Sequence, residues 1–203
     1  MKYLLKQVSK ELFSADFEIL ENNIVIGTLN LKGHLGTNEV KLTGKLHDKE
    51  FSMKRQHGEK GKFRPYSIID EENIIGEVYQ TEIKLGFFKS KVYKKCILNN
   101  EEFNSYGISF EDKGINCIYD NAKQIAQYEN SNTVYNELYY YEIFCKEEKE
   151  LLISIFFAIH GYIIACYKAG EKVTKSVRTF NSNSKEWIEK YDPEWINKIG
   201  KEV

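Results

Sequence analysis

The sequence predicts a mainly β protein with some α-helix. We expect a closed antiparallel barrel of about twelve strands around a buried hydrophobic C-terminal helix, followed by a short helical tail. Three observations predict this fold: hairpin-like segments that recur along the chain, one long apolar segment after them, and an amphipathic stretch near the C-terminus. The 203 residues, of which 42% are hydrophobic and 29% charged, suit one folded domain with a sizeable core.

The recurring segments, residues 16–31, 65–81 and 115–130, share one pattern. Each has a run of alternating polar and apolar residues, then a turn with acidic or Asn residues, then a second alternating run that opens on Ile followed by Gly or Ala. Such alternation marks half-buried strands, and Asn and Asp between two runs mark tight turns. The Ile-small pairs at 26–27, 75–76 and 125–126 are about fifty residues apart, which predicts three copies of a four-strand unit.

Further strand-like runs fall at residues 39–55, 84–98 and 136–146, so antiparallel strands fill the first two thirds of the chain. Closure into a barrel removes the exposed strand edges of such a sheet. The alternative is a β-trefoil-like fold, which also has three repeats of four strands. A trefoil, however, would leave the long apolar helix without a place to be buried.

The long apolar segment, residues 151–167, reads LLISIFFAIHGYIIACY and is apolar on every side of a helix. Its length is about 25 Å, which is short against a hydrocarbon core of about 30 Å. It contains Ser154, His160 and Gly161, and an acidic stretch precedes it. We therefore expect it to fill the wide lumen of the barrel, with His160 as a hydrogen-bonded core residue. A transmembrane segment is the alternative.

With these features the sequence resembles the tubby C-terminal-like superfamily, which includes the LURP-one-related proteins and the phospholipid scramblases. The resemblance covers residues 1–167 and rests on KYLLKQ, FEILENNIVIG, YSIIDEENIIG and the apolar helix. It implies a twelve-stranded barrel around a hydrophobic helix and the binding of anionic lipid head groups. The calcium-binding segment of the scramblases has no counterpart here, and the residues after 167 are an addition to the pattern.

The expected organisation is a barrel with its central helix over residues 1–170 and a tail over residues 171–203. In the tail, Asp192 followed by Pro193 predicts the start of a short helix. We expect the tail to pack on the outside of the barrel, although docking to a membrane surface or a partner is an alternative. An apolar stripe supports this: Trp187, Ile188, Trp195, Ile196 and Ile199.

The net charge is −1 and only three residues are arginine, so no nucleic acid is expected as a partner. Basic side chains are nevertheless in excess over residues 41–64, and residues 84–95 hold five lysines and no acid. The second stretch interleaves its lysines with aromatic residues, which suits an anionic membrane or a phosphate-bearing ligand, although a solvated strand face has the same pattern. The candidate anionic-ligand-binding residues are Lys84, Lys89, Lys91, Lys94 and Lys95.

No catalytic residue, metal or cofactor is expected, because the histidines lack metal-ligand spacing and no nucleophile motif or dinucleotide fingerprint is present. The four cysteines form no CxxC pair, so buried free thiols and no disulfides are expected. The opening residues lack a signal-peptide pattern, so secretion is not expected. We expect a cytoplasmic protein that is peripheral at the membrane.

These features lead us to expect a non-enzymatic binding protein that recognises an anionic lipid or a protein partner at a membrane surface. The alternatives are a membrane-tethered protein that spans the bilayer with residues 151–167, and a lipid-handling protein similar to the scramblases.

Overall fold

The computed structural model of the protein describes residues 1–33, 39–84, 90–171, 173–179 and 185–199. Twelve strands close into one antiparallel barrel, which confirms the predicted mainly β class and the closed barrel of about twelve strands. The β-trefoil alternative is not confirmed, since all twelve strands belong to one closed sheet. The barrel strands are β1 (Lys2–Lys10), β2 (Ser14–Glu21), β3 (Ile24–Gly33), β4 (Val40–Leu46), β5 (Lys49–Arg55), β6 (Phe63–Asp70), β7 (Asn73–Lys84), β8 (Ser90–Leu98), β9 (Glu101–Ser109), β10 (Lys113–Asp120), β11 (Lys123–Ser131) and β13 (Tyr140–Phe144).

Strands β1 to β11 follow one another around the barrel, and β13 inserts between β11 and β1 to close it. Because successive strands run in opposite directions, alternate connections lie at the same end. One end, the tight-turn end, carries the two-residue turns at 22–23, 47–48, 71–72, 99–100 and 121–122. The other end, the long-loop end, carries the remaining connections.

The three predicted hairpins are β2–β3, β6–β7 and β10–β11, and each contains the same irregularity of register. In each hairpin the second strand has one extra, unpaired residue, which is Ile26, Ile75 or Ile125. The small residue that follows it is explained by the next strand, since a Cβ added at Gly76 would overlap the carbonyl oxygen of Ile97. The repeated Ile-small pair is therefore the sequence signature of a repeated β-bulge.

Helix α1 (Glu148–Ala165) is the long apolar segment, but it begins three residues before the predicted position. The carboxylate of Glu150 accepts hydrogen bonds from the backbone N–H groups of Lys146, at 2.7 Å, and Glu147, at 3.1 Å. These bonds satisfy donors that a helix start leaves free, so the charged residues before the apolar run join the helix.

Helix α1 is buried over most of its length and packs against strands of the main core. Phe17 on β2 contacts Tyr162 with ring centroids 5.1 Å apart, and Phe51 on β5 contacts Phe156 at 5.3 Å. The helix also contacts β7, β8, β11 and β13. Within the described ranges, no helix is both long and apolar enough to cross a membrane.

The tail lies against the outer face of β9 and β10. Its 3₁₀ helix (Lys185–Lys190) buries Trp187 against Ile108, Ile115 and Cys117, which alternate along their strands with residues of the main core. The tail also contains an element that the sequence analysis did not predict. This element is strand β14 (Val177–Thr179), which pairs with β12 (Thr133–Tyr135) in a separate two-stranded sheet. The short helix α2 (Trp195–Ile199) follows Asp192 and Pro193.

Candidate ligand-binding cavity at the long-loop end

The inner wall of the barrel changes from apolar to polar along β9 and β10. Alternate residues of a strand share one face, so the buried Phe103 is followed on the inner face of β9 by Ser105 and Gly107. On β10, the buried Ile118 shares its face with Asn116. Toward the long-loop end, the wall is therefore built of small and polar side chains that do not fill the barrel.

A cavity of about 470 Å³ lies between this polar wall and helix α1. Among the described residues that line it, none is Asp or Glu. Val92, on the same face of β8, lines the cavity and is 51% exposed, so the cavity opens to solvent at the long-loop end. Its polar lining includes Gln80, Lys94, Ser105, Asn116, Tyr128 and Asn130.

Strands β8 and β9 part beside the cavity. Their pairing runs from Leu98 and Glu101 to Lys94 and Ser105, and in the described chain it ends there. Beyond this point the two strands do not pair with each other among the described residues, and five of their residues line the cavity: Val92, Tyr93, Gly107, Ile108 and Ser109. Lys94 and Ser105 consequently lie at the base of a notch in the barrel wall.

Lys94 points into this cavity with an incomplete set of partners. Its Nζ donates hydrogen bonds to the Tyr128 hydroxyl at 2.9 Å and to the Phe157 carbonyl oxygen at 3.3 Å. An ammonium has three N–H groups, so one remains for a further acceptor. In the part of the chain that the structure describes, Lys94 has no carboxylate partner, and a half-buried cation without one favours an anion nearby.

Ser105, directly opposite Lys94 in the β8–β9 ladder, is a second polar group without a partner. Ser105 is almost completely buried and lines the cavity, and its Oγ has no hydrogen-bond partner among the described residues. Buried hydroxyls in folded proteins nearly always have such a partner. The free hydroxyl and the ammonium therefore lie together at the same edge of the cavity.

Gly161 allows the Lys94 ammonium to lie against the helix. A Cβ added at position 161 would lie 2.6 Å from Lys94 Nζ. Any residue larger than glycine at this position would displace the ammonium from its observed position.

Three ionisable groups of the cavity lining, those of Tyr139, Tyr141 and Cys166, are neutral at physiological pH. Burial raises the pKa of the Cys166 thiol and of the Tyr139 and Tyr141 hydroxyls above their ordinary values. A thiol with a raised pKa is a poor nucleophile. The described residues also contain no group of three or more His, Cys, Asp or Glu side chains placed to hold a metal ion. The Lys94 ammonium, together with the hydroxyl and amide groups of the lining, is suited to binding an anion.

Of the four predicted lysines that the structure describes, only Lys94 lines the cavity. Lys91 and Lys95 lie on the opposite face of β8, where each pairs with a carboxylate. Lys91 Nζ lies 2.8 Å from Glu186 of the tail, and Lys95 Nζ lies 2.8 Å from Glu102. These two lysines therefore have partners within the chain.

Lys84 is exposed at the last position of β7, at the long-loop end. Lys89, together with Phe87 and Phe88, lies outside the described residues.

The structure nevertheless adds a relationship that the sequence analysis missed. The basic stretches 41–64 and 84–95 supply neighbouring strands, since β6 pairs with both β5 and β7 and β7 pairs with β8.

The sequence analysis also missed the polar cavity residues Ser105, Asn116 and Asn130 and the position of Gly161. A signal was present, because polar residues occupy alternate positions of strands whose other positions on the same face are apolar. It could not be interpreted without knowing which face of each strand points toward the helix.

His160 has the structural role that its sequence context predicts. It is completely buried, and its Nε2–H donates to the Arg64 carbonyl oxygen at 2.9 Å. Burial lowers the pKa of His160 to about 3, so the ring is neutral at physiological pH. The cysteines are free thiols; Cys96, Cys117 and Cys145 are buried and Cys166 is half-buried.

Comparisons of the chain with protein-family models, with curated proteins and with solved structures give no match in any of the three.

Proposed function

We propose that this is a non-enzymatic binding protein whose cavity takes the acidic head group of an anionic lipid at a membrane surface. The observation that carries the proposal is the Lys94 ammonium, which faces an open cavity with one unused N–H group and no carboxylate partner among the described residues. A phosphate or carboxylate oxygen would supply the missing acceptor and the missing negative charge.

The other lining groups suit such a ligand. Ser105, Asn116 and Asn130 offer hydroxyl and amide donors beside the ammonium, and an anion can accept from several of them at once. Tyr139 and Tyr141 add aromatic surface for the uncharged part of the ligand. A cavity of about 470 Å³ is of the size that holds a small organic molecule.

The proposal includes the position of helix α1. The helix contacts Phe17 on β2 through Tyr162 and Lys94 on β8 through the Phe157 carbonyl, and β2 and β8 lie opposite each other in the strand order. These contacts support a helix that runs through the lumen of the barrel. A twelve-stranded barrel around such a helix is what the resemblance to the tubby C-terminal-like superfamily implies, so we propose membership of that group and a cytoplasmic, membrane-peripheral location.

Vesicle flotation without detergent tests the proposal. We expect the protein to float with phosphatidylserine vesicles, less at high salt than at low salt, and not with phosphatidylcholine vesicles. Lys94→Gln should weaken the partition about ten- to a hundredfold, the usual effect of losing a hydrogen bond to a charged group. The matched control is Lys95→Gln, on the opposite face of β8, which should float like the wild type. Flotation of Lys94→Gln at the wild-type level would contradict the proposal.

A further inference from the structure

The two ends of the barrel differ in charge. At the tight-turn end, exposed carboxylates occupy the turns and the strand ends beside them. They include Asp48, Glu50, Asp70, Glu71 and Glu72. An anionic surface would repel this end of the molecule.

The long-loop end carries the opposite charge over the sector formed by β5 to β8. Exposed basic side chains gather at the ends of these four neighbouring strands and in the loop between β5 and β6. They are Lys54, Arg55, Lys60, Arg64 and Lys84. Glu59 and Glu77 share one partner, Lys62, whose Nζ lies 3.1 Å and 2.7 Å from them. A third acid, Glu82, is exposed on β7 opposite Val92. Together with Lys62, the five basic side chains outnumber these three acids.

The same sector exposes large apolar side chains, namely Phe63 at 47%, Ile83 at 44% and Val92 at 51%. Phe63 pairs across the sheet with Gln80, which lines the cavity, and Val92 lines the cavity itself. Exposed apolar groups at a basic rim are typical of surfaces that insert between anionic lipid head groups. Apolar contact and positive charge thus coincide at the opening of the cavity.

We propose that this sector, defined by Phe63, Ile83, Val92, Lys54, Lys60 and Lys84 and called here the docking face, lies against an anionic bilayer. In this orientation the cavity opens toward the lipid, and a head group passes from the bilayer by Val92 to Lys94. The inference rests on the proposed function, because it names the direction from which the ligand of that cavity arrives. The carboxylates of the tight-turn end then point away from the membrane.

Two double variants, one with substitutions at each end of the barrel, test which end meets the membrane. The docking-face variant is Phe63→Ser with Ile83→Ser, and the matched control is Ile24→Ser with Ile74→Ser, at the tight-turn end, where both isoleucines are 68% exposed. Flotation with phosphatidylserine vesicles should fall by about tenfold or more in the docking-face variant, because each lost apolar contact weakens insertion. The tight-turn variant should float like the wild type.

A soluble ligand distinguishes failure of this inference from failure of the proposed function. The docking-face variant should bind monomeric dihexanoyl phosphatidylserine within about twofold of the wild type, because its cavity is intact, whereas Lys94→Gln should not. Wild-type flotation by the docking-face variant, or loss of flotation by the tight-turn variant, would overturn the docking face and leave the cavity proposal in place. Failure of the wild-type protein to bind either lipid form would overturn both.

Discussion

Gly161 of helix α1 and Lys94 of β8 lie so close that a Cβ at position 161 would come within 2.6 Å of the lysine Nζ. Glycine inside a helix destabilises it by about 1 kcal/mol relative to alanine. A glycine in the middle of a buried helix therefore needs a local explanation. Here the explanation is that the ammonium of Lys94 occupies the space of the missing side chain while it bonds to the Phe157 carbonyl.

Gly161→Ala should accordingly separate stability from binding. The atom displaced by the new methyl group is the flexible end of a lysine, so the free energy of unfolding should stay level or rise by up to about 1 kcal/mol. Binding of dihexanoyl phosphatidylserine should weaken because the ammonium has moved. Chemical denaturation and calorimetric titration of the two proteins measure both quantities. Unchanged affinity in a stably folded Gly161→Ala protein would show that the position of the ammonium is irrelevant to binding.

His160 should make the fold sensitive to acid. Its pKa is about 3 in the folded protein and about 6.5 when exposed, so protonation favours the unfolded chain. The stability that the neutral ring supports is complete above pH 6.5 and is lost as the pH falls from 6.5 toward 3. Over this window the free energy of unfolding should fall by up to about 1.4 kcal/mol per pH unit through His160 alone.

The measurement is urea denaturation of the wild type and of His160→Gln between about pH 4 and about pH 7, which covers most of the interval between the two pKa values of about 3 and 6.5. Glutamine keeps an N–H donor for the Arg64 carbonyl but does not titrate. Carboxylates titrate equally in both proteins, so the difference in slope isolates His160. Parallel pH profiles would contradict the assignment.

Trp187 should hold the tail on the barrel and cover Cys117. Its ring contacts Tyr106 at a centroid distance of 4.9 Å and Tyr93 at 6.3 Å, on the two strands that part beside the cavity. Trp187→Ala should lower the free energy of unfolding by about 3 kcal/mol. Burial raises the pKa of Cys117 to about 12, and removal of its cover should speed labelling by Ellman's reagent about tenfold or more.

Mass spectrometry of the labelled protein assigns the reaction to Cys117 rather than to the half-buried Cys166. The control is Ile188→Ala in the same 3₁₀ helix, because Ile188 is exposed. Equal labelling of Cys117 in both variants would rule out Trp187 as its cover.

The repeated bulges explain why so much of the barrel could be predicted from the sequence. Each copy needs an extra isoleucine and then a small residue, and this local requirement leaves the same pair at 26–27, 75–76 and 125–126. The helix start at Glu148 depends on a capping contact of Glu150, which moved the boundary from the predicted residue 151. Strands β12 and β14 have only three residues each and were missed, because their pairing joins distant parts of the chain.

The small residue of the bulge should be required for stability. Gly76→Ala should lower the free energy of unfolding by about 2 kcal/mol or more, since the Cβ would meet the rigid backbone of Ile97. Gly58→Ala is the matched control, because a Cβ there meets nothing within 4 Å. Thermal denaturation compares the two. A neutral Gly76→Ala would contradict the explanation of the repeat.

The cavity could not be predicted, because it depends on which face of each strand points toward the helix. Lys84, Lys89, Lys91, Lys94 and Lys95 are equivalent in the sequence, whereas the strand alternation sends Lys94 to one face and Lys91 and Lys95 to the other. The partners of Lys94 lie 34 and 63 residues away along the chain. Only the folded barrel brings these groups together.

Calorimetric titration of the 203-residue protein with monomeric dihexanoyl phosphatidylserine tests most directly whether Lys94 binds an acidic lipid head group. We expect the wild type to bind, Lys94→Gln to bind at least about tenfold more weakly with an unchanged unfolding midpoint, and Lys95→Gln to bind like the wild type. Equal affinity of the wild type and Lys94→Gln, or no binding by the wild type, would contradict this expectation.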